Sequence, residues 1–282
     1  ARLLDIGVTG EAGTRADIDR QTVIATGGGN LSEILKKPTR ELANPFVVQG
    51  CTRILSEKIT QNQVHAVLGL GGTQGTSTCC DIMQALPYGF PKIMVSTIAS
   101  GDTSGFVGIK DITMMFSVSD ILKLNPFTRK ILANAAAAAC GMAEVEDKFS
   151  MSKSDKPLIG MSNLGVLTKG AMEAIRYIEA AGYEVIVFHA VGSGGRAMEQ
   201  MMKEGIIGAV FDYAMGEIAD DVWKVLRAGG AERLTVAGKL GLPQVLVPGG
   251  AEHLGILVPP NEVPDAWKDH KKVFHSPVVF VP

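Results

Sequence analysis

The chain has 282 residues, of which 46% are hydrophobic and 20% charged, with 33 glycines and a net charge of −2. That length holds one large domain or two ordinary ones, and the composition is that of a globular α/β protein, not of a disordered chain. The near-neutral balance excludes a nucleic-acid surface of the ordinary basic type, and no apolar run reaches membrane-spanning length.

Leu3, Leu4, Ile6 and Val8 predict a strand over Ala1–Val8, closed by Thr9 and Gly10. Open α/β sheets place ligands at that end of a strand, so Thr9 and Gly10 are either rim residues of a site or an ordinary turn. Glu11–Asn44 is polar, and its Gly27-Gly28-Gly29 follows no convincing strand and is read as a loop. Phe46–Gln61 has helical spacing at Val47, Ile54, Leu55 and Ile59.

The stretch Val64–Leu86 is richest in chemistry. Val64, Ala66, Val67, Leu68 and Leu70 read as a short buried strand. Gly69, Gly71, Gly72 and Gly75 crowd one turn, with Thr73 and Thr76 beside them. A helix over Thr76–Leu86 follows. Glycines let backbone approach an anion closely, and the free N–H groups of a helix N-terminus bind it. No lysine follows Gly75, so this is not a Walker A loop. The two readings are a phosphate-binding turn and a structural turn that packs helix on strand. Lys92–Ser96 is the next strand, and it opens on a second small polar loop with Ser100, Gly101 and Asp102. In a parallel sheet this loop lies beside the first. Asp102 there serves either a metal–phosphate assembly or the capping of a turn.

Asp111–Ser117 reads as a strand and Asp120–Met142 as helical. Glu144–Lys156 is charged, lacks an apolar period and reads as the boundary between lobes at 1–150 and 157–282. A second series follows: a strand over Leu158–Met161, a helix over Ala171–Ala181 and a strand over Tyr183–Phe188. That strand enters His189, Gly192, Gly194, Gly195 and Arg196, ahead of a helix over Ala197–Glu204. Arg196 offers a fork for a carboxylate or phosphate, or a surface pair with Glu199 or Glu204. His189 is either a general base or a structural histidine. Ile206–Asp212 is a strand, followed by Asp212 and Glu217, read either as a carboxylate pair for acid/base or metal work or, in preference, as charges at a helix N-terminus, and Ala219–Leu226 is helical. Gln244–Val247 and Val278–Val281 are strands. Cys51, Cys79, Cys80 and Cys140 form no CxxC pair, which argues for buried thiols in a reducing cytoplasm and against zinc or disulfides.

Four words of sequence carry a resemblance. They are Gly69-Leu-Gly-Gly-Thr-Gln-Gly-Thr76, Val95-Ser-Thr-Ile-Ala-Ser-Gly-Asp102, Leu132-Ala-Asn-Ala-Ala-Ala-Ala-Ala139 and Val187-Phe-His-Ala-Val-Gly-Ser-Gly-Gly-Arg-Ala-Met-Glu199. In this order the chain resembles a family of uncharacterised bacterial and fungal proteins related to the N-terminal ATP-binding domain of the tomato mosaic virus resistance protein. The resemblance implies two Rossmann-like lobes with a nucleotide between strand-end loops. It also implies an earlier strand with an Asp-Thr-Lys-Gly turn, and further C-terminal chain, which this sequence does not carry; the second lobe is thus expected to be truncated.

The expectation is therefore an α/β protein of two Rossmann-like lobes, with mainly parallel sheets and helices on both faces. ATP is the expected ligand, with magnesium left open. Thr9, Gly10, Gly69, Gly71, Gly72, Thr73, Gly75, Thr76, Ser100, Gly101 and Asp102 form its site. His189, Gly192, Gly194, Gly195 and Arg196 are set aside for a second ligand. The alternatives are a nucleotide-regulated module that contacts a protein and an enzyme acting on a sugar phosphate or small acid. No catalytic residue is assigned, and a homo-oligomer without nucleic-acid or membrane partners is expected.

Overall fold

The structure, a computed structural model, describes residues 1–8, 12–145, 156–257, 262–275 and 278–281. The chain divides into two compact units, Ala1–Glu146 and Asp147–Pro282.

Unit 1 opens with three helices, α1 (Arg20–Thr26), α2 (Leu31–Lys36) and α3 (Arg40–Thr60). Each is capped by a side chain that accepts from a first-turn amide: Asp19, Asn30 and Thr39 respectively. Val23, Ile24, Ile34, Val47, Cys51 and Ile54 bury their apolar faces in one cluster. Glycine permits the close crossing of α1 and α3, since a Cβ on Gly27 would stand 2.0 Å from the Phe46 carbonyl oxygen. The expected N-terminal strand is reduced to a single bridge between Leu4 and Ile18. Leu4, Ile6 and Val8 pack on the helical cluster instead of joining a sheet.

The sheet of unit 1 comprises β1 (Val67–Gly71), β2 (Lys92–Ser96) and β3 (Thr113–Phe116), parallel and in that order. Between them run α4 (Thr73–Gln84) and the single turn α5 (Ser104–Val107). The central strand β2 is buried throughout, even at Lys92. Its ammonium is held by the carbonyls of Pro87 and Phe90, at 2.7 Å each, and by Asp111 at 2.9 Å. The last helix, α6 (Pro126–Ala143), starts six residues later than its apolar period suggests. A capping box fixes that start: Asn125 accepts from the Thr128 amide, and the Asn125 amide donates to the Thr128 hydroxyl.

Unit 2 holds a four-stranded parallel sheet of β4 (Leu158–Asn163), β5 (Glu184–His189), β6 (Ala209–Ala214) and β7 (Gln244–Gly249). The order is β5-β4-β6-β7. Helices α7 (Thr168–Ala180), α8 (Ser193–Lys203), α9 (Gly216–Trp223) and α10 (Val236–Leu240) punctuate it. Met198 and Met202 of α8 lie one turn apart and pack with Phe188, Ile207, Val210 and Val236. The sheet grows from β4 toward β5 on one side and toward β6 and β7 on the other, so its direction reverses at β4 and β6. Doubly wound sheets place ligands outside the carboxyl ends of the strands at such a reversal. In the tail the expected strand β10 (Val278–Val281) lies between two strands the sequence did not announce, β8 (Leu254–Ile256) and β9 (Val273–His275), in a small antiparallel sheet. Both units are thus α/β, with parallel sheets flanked by helices, as the sequence leads one to expect. Among the described residues no helix is long and apolar enough to cross a membrane.

Candidate functional site

In unit 1 the glycine turn joins β1 directly to α4, which starts at Thr73, three residues earlier than its apolar spacing indicates. Gly72 caps the helix with extended backbone and no side-chain hydrogen bond. Among the described residues, no hydrogen bond takes up the amides of Gly72, Thr73, Gln74 or Gly75. These are the orphan donors that every helix N-terminus leaves.

The four turn glycines divide into two kinds. Gly69 and Gly71 serve packing. A Cβ on Gly69 would lie 2.8 Å from the Met94 sulfur, and one on Gly71 would lie 2.8 Å from the Gly75 Cα. An added Cβ on Gly72 or Gly75 would meet only ordinary contacts, 3.5 Å from the Thr97 hydroxyl and 3.4 Å from the Leu70 carbonyl oxygen. Close packing therefore does not demand glycine at either position, and the lack of a side chain leaves the amides reachable.

A cavity of about 690 Å3 lies over these amides, lined by Arg40, Gly71, Gly72, Thr73, Gln74 and Gly75. Nothing in the sequence marks Arg40, which sits in a polar stretch ahead of the helical period. Thr39 caps α3 and so puts Arg40 in its first turn. Its exposed guanidinium has no ion-pair partner among the described residues.

The other predicted residues of this site are less concentrated. Thr76 is fully buried, and its hydroxyl lies 2.7 Å from that of Ser96. The second loop begins beside the first, since the Thr97 amide donates to the Gly71 carbonyl at 3.2 Å. Ser100, Gly101 and Asp102 are exposed and do not line the cavity. Asp102 accepts from the Ser104 amide at 2.9 Å, and that bond holds its carboxyl below the usual range. Thr9 and Gly10 lie outside the described residues. Burial pushes the thiols of Cys51 and Cys80 up to about 12 and also raises that of Cys79, so these three stay protonated at neutral pH. Among the described residues no group of three His, Cys, Asp or Glu side chains is placed to hold a metal.

The glycine turn of unit 2 also joins a parallel strand to a helix, with Gly192 at positive φ where Gly72 is extended, and it is filled. Glu217 Oε1 accepts from the Gly192 amide at 2.6 Å and the Gly195 amide at 3.0 Å. Glu217 Oε2 accepts from Arg233 Nε at 2.7 Å. Arg233 in turn forks onto Asp212, at 2.7 and 2.5 Å, and approaches Glu199 at 3.6 Å. The Ser162 hydroxyl donates to Asp212 Oδ1 at 2.6 Å. Asp212 and Glu217 are wholly buried and Arg233 is 4% exposed. Asp212 and Glu217 hold the guanidinium charged against the cost of its burial.

This corrects one reading of the sequence. Glu217 does lie at a helix N-terminus, but the amides it satisfies belong to α8, not to its own α9. Gly195 makes room for it, since a Cβ there would stand 2.0 Å from Glu217 Oε2, whereas Gly194 serves the close approach of the helix to β5, where a Cβ would stand 1.9 Å from the His189 carbonyl oxygen. Arg196 pairs with neither Glu199 nor Glu204, and its Nε reaches its own helix cap, the Gly192 carbonyl, at 3.3 Å. His189 is exposed at the carboxyl end of β5.

Residues 1–148 match the N-terminal domain, and residues 156–281 the C-terminal domain, of an uncharacterised protein family, UPF0261. A UPF0261 protein of Clostridium tetani is 41% identical over 98% of this chain and 68% of its own length. One from Rhizobium meliloti is 33% identical over 98% of this chain and 67% of its own. The ToMV resistance protein Tm-1 of Solanum lycopersicum is 32% identical over 84% of this chain and 32% of its own. The chain thus spans about two thirds of these bacterial relatives and about a third of the tomato protein. On these matches, through both of its domains, the chain belongs to the UPF0261 family.

Proposed function

We propose that unit 1 binds the phosphate groups of a nucleotide, ATP in the first instance, on the open amides of α4. The observation that carries this is a set of four amides and one arginine around a cavity, none of them with a partner among the described residues. An anion seated there accepts from donors that otherwise lack partners, at the positive end of a helix dipole. Arg40 supplies the counter-charge that the absent Walker lysine would give in another fold, and its planar fork matches phosphate oxygens. The choice of a nucleotide over a simpler phosphate rests on the resemblance carried by the four sequence words above.

The test is calorimetric titration of ATP, with and without magnesium, into wild type, Arg40→Ala and Gly72→Asp. A charge-assisted hydrogen bond is worth about 1.5–3 kcal/mol, so Arg40→Ala is expected to weaken binding about ten- to a hundredfold. Gly72→Asp puts a carboxylate beside the amides, into space that admits it, and is expected to abolish binding with the circular dichroism unchanged. Equal affinity in all three proteins removes the turn from the site.

A further inference from the structure

Both units carry the same device, a parallel strand running through a glycine turn into a helix. In α4 the cap residue is Gly72 and the third helical residue is Gly75. In α8 the corresponding residues are Gly192 and Gly195. The amides of Gly72 and Gly75 have no partner among the described residues, whereas those of Gly192 and Gly195 share one carboxylate oxygen. We infer that the turn of unit 2 is an anion site whose ligand is the chain's own Glu217 carboxylate. The chain therefore offers external phosphate one glycine turn, not two, and the second seat accepts a small carboxylate once that of Glu217 is removed. The count of one rests on the phosphate reading of unit 1; the seat in unit 2 does not.

Three features make Glu217 a ligand in the chemical sense. Each of its oxygens is satisfied by a donor that a bound anion would use: two helix N-terminal amides on one, a guanidinium N–H on the other. The carboxylate is wholly buried, so nothing else competes for those donors. The donors are also held independently of it. Arg233 stays anchored on Asp212, and Asp212 on the Ser162 hydroxyl. The two amides belong to the cap and first turn of an 11-residue helix that packs by Met198 and Met202. Truncation of Glu217 therefore leaves two amides and one guanidinium around a void. The atoms that Glu217→Ala removes, a methylene and a carboxylate, are those of acetate.

The variant is unfolded by heat in about 100 mM sodium acetate, formate, chloride or phosphate, a range in which millimolar sites register as shifts in midpoint. The emission of Trp223 and Trp267 follows unit 2, which contains both of the chain's tryptophans. Acetate or formate is expected to raise the midpoint of Glu217→Ala by about 3 °C or more over chloride, and to leave wild type unmoved. A second measurement needs no variant. In wild type the Gly192 and Gly195 amides are expected to exchange hydrogen at least about a hundredfold more slowly than those of Gly72 and Gly75.

Equal exchange in the two turns overturns the assignment of Glu217 as ligand. A Glu217→Ala protein that acetate does not stabilise beyond chloride, or that stays unfolded in acetate, overturns the preformed seat. Two phosphates bound per wild-type chain, one of them insensitive to Arg40→Ala, overturns the count. Failure of wild type to bind any phosphate refutes the reading of unit 1 and leaves the exchange and acetate results standing.

Discussion

Replacing Arg233 by methionine removes the cation that Asp212 and Glu217 share while keeping most of the side-chain volume. Three charge-assisted bonds of 2.5–2.7 Å are lost. Two wholly buried carboxylates are left without their counter-charge. Breaking a buried pair from one side costs about 3–5 kcal/mol, because the remaining charge keeps its desolvation penalty and loses its compensation. A domain's whole stability is only about 5–15 kcal/mol. Unit 2 is therefore expected to lose about a fifth or more of its stability, a fall in midpoint of about 10–20 °C. Urea and thermal unfolding followed by tryptophan emission read this directly, since Trp223 and Trp267 both lie in unit 2. A loss below about 1 kcal/mol at neutral pH, the worth of a surface pair, would refute the view that this network holds the sheet end together.

Gly69→Ala drives a methyl group to 2.8 Å from the Met94 sulfur and 2.9 Å from the Cys79 Cβ. It is expected to cost about 1–3 kcal/mol in unfolding experiments, as overpacking does. Gly75→Ala meets nothing closer than 3.4 Å. It should leave stability unchanged or slightly raised while weakening phosphate binding; a large loss of stability would place Gly75 among the packing glycines. Glu199 supplies a pH test. Burial raises its pKa above the ordinary 4.5, against the pull of the Leu234 amide and Arg233. The native state then keeps this proton to higher pH than the unfolded chain, so stability from Glu199 is full below the unfolded value and declines as pH rises through the native one. Glu199→Gln stays neutral throughout and is expected to gain on wild type in urea unfolding as pH rises above the ordinary 4.5. A drift the other way would show the native carboxylate to be stabilised as the anion.

Much of this architecture is legible in the sequence for a local reason. The buried strand ahead of Gly71 is a short run of apolar residues, and the glycines that follow have few uses other than close backbone approach. The same holds for Glu184–His189 and the turn after it. Helix starts are less legible. Asn125 delays α6 through a capping box, and α3 reaches back to Arg40 past Pro45, which reads locally as a break. Leu3–Val8 has a strand's pattern but spends its apolar side chains on a helical cluster. Pattern alone fixes which residues seek burial, not the surface they find.

The candidate site is legible only by half, and the two glycine turns show why. As strings they are near equals, Gly71-Gly72-Thr73-Gln74-Gly75 and Gly192-Ser193-Gly194-Gly195. Each announces a cradle of amides that calls for an anion. The occupant comes from elsewhere in the chain, and no local rule summons it. Glu217 is 25 residues from Gly192, and as an acid at a helix start it already satisfies a local rule, so nothing about it demands a distant partner. Arg233 stands in an aperiodic loop and Arg40 in a polar one, where a lone cation reads as a solvated charge. Folding brings one of these arginines onto a carboxylate already seated on its amides, and the other to the rim of a cavity whose amides have no partner among the described residues. Two similar strings therefore end differently within one chain, in amides closed by an internal carboxylate in unit 2 and in amides without a partner among the described residues in unit 1, and the difference lies in tertiary charge placement.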